Sequence, residues 1–360
     1  STYSSFGPLP DGRIFPVVSA RGTNVYSTVN EHIYKSMKGT SMATPTVSGH
    51  LALLTQRWMQ LHGGAIPPNY LLKALVANTA DDAGNPGPDY KFGFGILNAR
   101  AALTALEKEW YVFDRIENGA TKTHEINVPE GVGELRVMLV WNDPVAKKRY
   151  ASNESPMVND LDLSLTVGGT QHLPLTLDMK NPDAAAVEKV NSLDNTEQIV
   201  VTNPAMGTCT VEVKGAVRMG NDQPYVVAYY FDYKRPAILS PLVDEVYAPG
   251  DTLLLRTQNL QEPVKVEITR DGGATYKPFG KAQNANRVLI LGKTDKTITN
   301  KAMFRVTDAR GYQAESAMFT IMHRVVGVKL VATDCSKAWK LTWKALPEAE
   351  KFEILRADAA

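Results

Sequence analysis

Cysteine is almost absent from this 360-residue chain. The two present, Cys209 and Cys335, lie far apart, which excludes a disulfide framework, and no zinc-ligand spacing accompanies them. No apolar run is long enough to span a bilayer. An excess of one charge is missing too, since 39 basic and 38 acidic residues leave a net charge of +1. With the signs mixed, no basic patch argues for nucleic acid and no acidic tail for a solvating segment. Histidine is scarce, six in all, so few groups can act as a base near neutral pH. What remains is ordinary hydrophobic content on a length that predicts two to four domains, each with its own core.

One stretch carries chemistry: Gly39-Thr40-Ser41-Met42-Ala43-Thr44-Pro45. Apolar positions follow at Val47, Leu51, Leu54, Trp58 and Leu61, three or four apart, which predicts a helix beginning near Ser41 with Thr40 as its N-cap. Pro45 falls just past the first turn, where a missing N–H costs little. Ser41 then sits at a helix N-terminus, beside free N–H groups and the positive end of the dipole. A serine so placed suits attack on a carbonyl, because the developing oxyanion needs donors there. The competing reading is a small-residue helix start in a packed core.

Gly-Thr-Ser-Met-Ala-x-Pro heading an apolar helix closely resembles the nucleophile segment of the subtilases, the subtilisin-like serine peptidases. It is not a G-x-S-x-G elbow, since Ala43 stands where that motif has glycine. Upstream, Ser4-Ser5-Phe6-Gly7-Pro8, Asp11-Gly12-Arg13 and Gly22-Thr23-Asn24-Val25-Tyr26-Ser27-Thr28 resemble the family's approach to its serine. Phe15, Val17 and Ala20-Arg21 depart from that pattern. The resemblance implies Ser41 as the nucleophile and Gly39-Thr40-Ser41 as the oxyanion loop. It also implies hydrolysis of peptide bonds through an acyl-enzyme, without a cofactor, in a secreted or cell-surface bacterial protein.

The rest of the chain is read in order. Val17-Val18 and Asn24 to Thr28 read as short β segments. Pro67-Pro68-Asn69 opens a second helix, and a third runs from Ala99 to about Lys108. The Gly93-Phe94-Gly95 between them lacks the third glycine and the βαβ setting of a nucleotide loop, and is taken as structural. Near Glu109 the period changes from helical to two-residue, with strands predicted at 134–141, 161–167, 198–202, 208–213 and 225–231. The resemblance implies that residues 1–108 are the C-terminal part of an α/β catalytic domain; strand spacing suggests a jelly-roll β-sandwich over 109–234, which resembles the P domain of kexin-like peptidases. Residues 235–322 read as an immunoglobulin-like sandwich with a turn at Asp271-Gly272-Gly273. Residues 323–360 resemble the start of a fibronectin type III domain, with Val328, Leu330, Trp339, Leu341, Trp343, Phe352 and Leu355 as its core. The chain is expected to be cut at both ends.

A serine nucleophile needs a base within hydrogen-bond reach and usually a carboxylate to orient it. Nothing resembles the family's Asp-Thr-Gly or His-Gly-Thr segments. His50 is nine residues along the helix, about 13 Å away in axial rise. His62 is farther; His124, His172 and His323 fall in the β domains; His32, in a loop upstream, is the one whose reach stays open. The expected partner is therefore an N-terminal fragment of the same peptidase carrying the Asp, the His and the oxyanion Asn, besides a protein or peptide substrate. A reading from another class makes the chain a non-catalytic binding or adhesion fragment whose sandwiches hold a protein or glycan.

Asp160 and Asp162 alternate with Leu161 and Leu163, so both carboxylates leave one strand face. With Asp143 and Asn159 they could offer hard oxygens to a structural Ca²⁺, which related β domains of subtilases often bind. The simpler reading is a solvated strand edge. Asp194, Asn195 and Glu197 form a second, weaker acidic cluster.

Overall fold

The computed structural model describes residues 3–30, 33–146, 156–234, 237–243, 245–279, 288–294, 297–332 and 339–347. His32, Cys335, Phe352 and Leu355 lie outside them. The chain is mostly β with few helices and forms two compact units, 1–233 and 234–360.

The first unit opens with a two-stranded antiparallel sheet, β1 (Val25–Thr28) and β2 (Tyr34–Met37). Three helices follow: α1 (Thr40–Leu61), α2 (Asn69–Asn78) and α3 (Ala99–Glu107). Then come β3 (Tyr111–Glu117), β4 (Thr121–Val128), β5 (Glu134–Trp141), β6 (Asp160–Val167), β7 (Thr170–His172), β8 (Leu175–Thr176) and β9 (Val187–Glu188). β10 (Thr196–Thr202), β11 (Gly207–Ala216) and β12 (Asp222–Asp232) complete it. Val17 and Val18 form no strand; only Ser19 makes a bridge, to Ile96. β3 and β4, polar at most outward positions, lie in a stretch where no strand was expected.

Two four-stranded antiparallel sheets pack face to face, in the orders β10-β5-β12-β3 and β4-β11-β6-β7. Their shared core holds Val137, Leu139 and Trp141 of β5, Leu161, Leu163 and Leu165 of β6, and Val211 and Val213 of β11. The other face of the first sheet is also buried. Met138 and Val140 of β5, with Val226 and Ala228 of β12, pack against Leu71 and Leu75 of α2 and Ala105 and Leu106 of α3. β5 is therefore covered on both sides, which is why Leu135 to Trp141 reads as a nearly unbroken apolar run. β6 and β11, covered on one side, alternate. The switch from helix to strand near Glu109 is thus a change of layer within one core.

Buried polar groups fasten this seam. Asn78, at the end of α2, donates to the carbonyls of Arg136 and Ala228 at 3.3 Å each and accepts from Gln198 Nε2 at 3.1 Å. The Arg136 guanidinium donates to Ala80 O at 2.5 Å and to Glu134 at 2.6 Å. Such groups are costly to bury unless paired, and here each is paired. Gly93-Phe94-Gly95 is structural as expected: Phe94 N–H donates to Val17 O, and a Cβ on Gly93 would meet that oxygen at 2.3 Å.

The second unit contains β13 (Ala237–Ser240), β14 (Val246–Tyr247), β15 (Thr252–Gln258), β16 (Lys265–Thr269), β17 (Lys277–Pro278), β18 (Val288–Lys293), β19 (Thr299–Thr307), β20 (Gln313–Glu315), β21 (Phe319–Ile321), β22 (Lys329–Ala332) and β23 (Trp339–Thr342). Sheets β13-β15-β18 and β14-β21-β19-β16-β17 enclose Leu253, Leu255, Val266, Ile268, Phe304 and Phe319. The Asp271 turn is tied by its carboxylate to Thr269 Oγ1 and to the Thr275 N–H and hydroxyl. These bonds hold its pKa well below the ordinary carboxylate value. Among the described residues β22 and β23 pair only with each other, and Val328 and Leu330, expected in a core, are exposed. A two-stranded sheet with no second layer among the described residues has nothing to bury them against.

Candidate active site

The loop leading to Ser41 is built by its glycines. Gly39 has φ 147° and ψ 165° and is itself the N-cap of α1. Thr40 is the first helical residue, so the expected cap is displaced by one position and no side chain caps the helix. Only glycine adopts that φ at low cost, and it lets the chain turn directly into the helix. The loop is pinned from behind, where Gly39 N–H donates to Gly22 O at 2.8 Å, while a Cβ on Gly22 would meet Gly39 O at 2.6 Å.

Ser41 is therefore the second residue of a 22-residue helix. It is exposed, and its hydroxyl has no hydrogen-bond partner among the described residues. The first-turn N–H groups at residues 40 and 41 have no intrahelical acceptor, and the dipole adds positive potential there. The next polar side chains turn back onto the helix. Thr44, Thr46 and Ser48 each donate to the carbonyl four residues earlier. Pro45 removes the N–H that would reach Ser41 O, so the first turn is held in part by these hydroxyls. Farther along, Leu54 and Trp58 anchor α1 on the core, and the Trp58 ring lies 6.0 Å from Tyr111 and 6.3 Å from Phe113 of β3.

No described histidine serves Ser41. His50 Nδ1 lies 2.6 Å from Thr46 O on its own helix, and His62 stacks on Trp58 with ring centroids 3.6 Å apart. His124 meets the Tyr225 hydroxyl at 2.9 Å, and His172 meets Glu188 at 3.2 Å. A cleft of about 680 Å³ opens beside the loop, lined by Gly39, Thr40, Ala43, Phe15, Arg21 and Phe92 among others. The site thus offers an exposed serine beside unused first-turn N–H groups, and its own described residues bring no base.

The four residues expected at a metal do not fit one as a set. Asn159 Oδ1 accepts from the N–H groups of Arg218 and Met219, which uses both of its lone pairs. Its Nδ2 donates to Met219 O and Gln223, and Asp143 accepts from the Val158 and Asn159 N–H groups. These two side chains clasp a loop. Asp160 and Asp162 keep free oxygens, but among the described residues no three acidic, histidine or cysteine groups gather as ligands. Burial, reinforced by the Asp162 charge, pushes Asp160 up to about 6, and burial raises Asp162.

Glu197 of β10 caps the free edge of β6, accepting Leu163 N–H at 2.8 Å, while its other oxygen is buried without a partner. Burial first, then the Asp162 and Asp160 charges, hold its pKa well above the carboxylate norm. A raised folded pKa means that stability present below the unfolded value is lost as pH rises above it. Glu197→Gln keeps the Leu163 bond and offers N–H donors where the ionised acid meets only repulsion. It is expected to raise the melting temperature at pH 7–8, by on the order of 1–3 kcal/mol in stability, with a gain that shrinks below about pH 4.5. Thermal melts across pH check this, and a loss of stability at pH 8 would overturn it.

Comparison with known proteins bears on the segment around Ser41. The model of the subtilase family matches residues 1–95. A PII-type proteinase of Lactococcus lactis subsp. cremoris is 33% identical over 129 residues, covering 30% of this chain and 6% of that protein. A C5a peptidase of Streptococcus pyogenes is 30% identical over 138 residues, covering 36% of this chain and 11% of its own length. The chain thus spans a small part of these relatives. Among solved structures, tripeptidyl peptidase 2 covers 65% of this chain and 30% of its own, at 12% identity and a TM-score of 0.20, too low to carry a fold argument. It is the sequence around the exposed serine that carries the likeness: residues 1–95 match the model of the subtilase family.

Proposed function

We propose that this chain is the nucleophile-bearing part of a subtilisin-type serine endopeptidase. The observation that carries the reading is Ser41, exposed at the start of a long helix with unused backbone donors and a glycine that fixes its approach. Ser41 Oγ attacks the scissile carbonyl carbon and passes its proton to a base. The oxyanion accepts from the Ser41 N–H, the leaving amine takes the proton from the base, and water then releases the acyl group.

The base, the carboxylate that orients it and the second oxyanion donor belong to a companion segment supplying His, Asp and Asn. Support for a companion lies in the surface around the loop. β1 and β2 pair with nothing else among the described residues, and Tyr26, Tyr34 and Met37 on them, Phe6 and Phe15 nearby and Leu53 of α1 are all exposed. Exposed apolar groups on and near an unpartnered pair of strands are what a covering layer buries. The order β3-β12-β5-β10 against β4-β11-β6-β7 supports a jelly-roll for the sandwich, and the two sheets of the second unit support an immunoglobulin-like one. The whole protein is taken to be exported to a bacterial surface.

Labelling with a fluorophosphonate tests this. With the companion present, Ser41 is expected to react and the adduct to map to its peptide; with the chain alone, it stays inert. An inert Ser41 in the intact assembly would favour the binding reading, in which the sandwiches do the work.

A further inference from the structure

Between α2 and the approach to β10 lies a cleft of about 160 Å³ that hydrolysis does not use. Lys73 enters it from α2, Arg13 from the N-terminal loop, and Asp194, Asn195 and Thr196 from the opposite wall. Most of these groups are engaged. Lys73 Nζ donates to Asn195 Oδ1 at 3.1 Å, and the Asn195 amide donates onward to Trp141 O. Arg13 Nε donates to Asp11, and Asp194 Oδ1 accepts from the Ile14 N–H at 2.9 Å. The exception is Thr196. It is 3% exposed, and its hydroxyl is buried without a partner. A buried hydroxyl left so bears the full cost of its desolvation, which a polar group in the cleft would relieve.

Lys73 is the reactive member. Burial, only partly offset by the Asp194 charge, lowers its pKa to about 8. Near pH 8 about half of the amine is then neutral, against roughly 0.3% for an ordinary lysine. A neutral lysine is a nucleophile, and the space beside it is several times the roughly 30 Å³ that one water occupies.

We propose that Lys73 is a carbamylation site, at which Nζ adds to dissolved carbon dioxide and the carbamate is held by Arg13 and the Thr196 hydroxyl. The nitrogen lone pair forms the N–C bond, one C=O π pair moves onto oxygen, and one amine proton leaves to solvent. Atoms and charge balance with carbon dioxide as the only co-reactant. The N–H that remains still donates to Asn195 Oδ1. The new anion faces two charged groups, Arg13, which attracts it, and Asp194, which repels it; Asp11 lies behind Arg13. Repulsion is limited because one Asp194 oxygen is spent on the Ile14 N–H.

The test is trapping on the full chain. The protein is equilibrated at pH 8 with ¹³C-labelled bicarbonate, alkylated with triethyloxonium to fix carbamates as ethyl esters, digested and read by mass spectrometry. The label is expected at Lys73 in excess over every other lysine, and at least roughly fifty-fold lower at pH 6 with dissolved carbon dioxide held constant. Thr196→Val and Arg13→Gln are expected to lower occupancy several-fold. Label on the N-terminal amine and surface lysines with none on Lys73 overturns the proposal. So does a Lys73 label that neither variant changes, since that marks a reactive amine without a site. Localisation is read on the unaltered chain, so it stands whether or not a variant folds, and it does not depend on Ser41 being a nucleophile.

Discussion

A chain ending at Lys108 is expected not to fold. The apolar faces of α2 and α3 share one buried cluster with the first sheet of the sandwich, which α1 and the loops before it cannot replace. Leu71, Leu75, Ala105 and Leu106 are fully buried, and Met138, Val140, Val226 and Ala228 share their cluster. Removing residues 109–233 would open that cluster to water and strip Asn78 of Arg136 O, Ala228 O and Gln198 in one step. Each large side chain re-exposed forfeits about 1.5–3 kcal/mol, so a few of them are comparable with the whole stability of a typical domain. The measurement is circular dichroism and a thermal melt on the fragment, where no cooperative transition should appear. A fragment 1–108 with helical signal and a sharp melt would overturn the shared-core account. Within the full chain, Leu75→Ala is expected to cost about 2–5 kcal/mol, because a cavity opens where two layers meet and neither can collapse alone. At about 2–4 °C per kcal/mol for a unit of this size, the transition should fall by roughly 4–20 °C.

That seam was written in the sequence but in a form easy to misread. Leu135 to Trp141 and Tyr225 to Ala228 are almost continuously apolar, whereas β6 and β11 alternate. The contrast separates a strand buried on two faces from one buried on a single face, so the helical layer over the first sheet could have been inferred. β3 and β4 escaped because outward polar residues such as Asp114, Arg115, Lys122 and Glu125 dilute the apolar signal at the sheet margin.

At the candidate site, the sequence singles out a residue but not its local geometry. The motif names Ser41, but only the backbone reveals that Gly39, rather than Thr40, ends the loop and caps the helix. Asn159 shows the opposite failure. Its spacing beside two aspartates reads as an oxygen ligand, yet its amide bridges to Arg218, Met219 and Gln223, which lie about sixty residues away in sequence. No local pattern reports such a clasp. Lys73 carries no signal either, because its lowered pKa comes from being covered by groups distant along the chain.

The largest effect on activity is expected at Ser41, and pairing it with Gly39 separates chemistry from support. On the proposed function, Ser41→Ala in the intact assembly should abolish fluorophosphonate labelling and lower kcat by roughly 10⁶-fold, the scale seen when a serine nucleophile is removed. Its melting temperature should hardly move, since Ser41 is exposed and makes no bond among the described residues. Gly39→Ala should behave differently. A Cβ there has room, with nothing nearer than Ser41 N at 3.8 Å, so the cost is conformational rather than steric. An L-residue resists φ near 147°, and holding it there costs on the order of 1–3 kcal/mol. Relaxing it would rotate the peptide that aims the Ser41 N–H and Oγ. A displacement of about 1 Å is enough to lower kcat roughly 100-fold. Gly39→Ala should therefore lose both stability and rate, and Ser41→Ala rate alone. If Ser41→Ala instead lowered the melting temperature and left hydrolysis intact, the serine would be a packing residue at a helix start and the base would have nothing to activate.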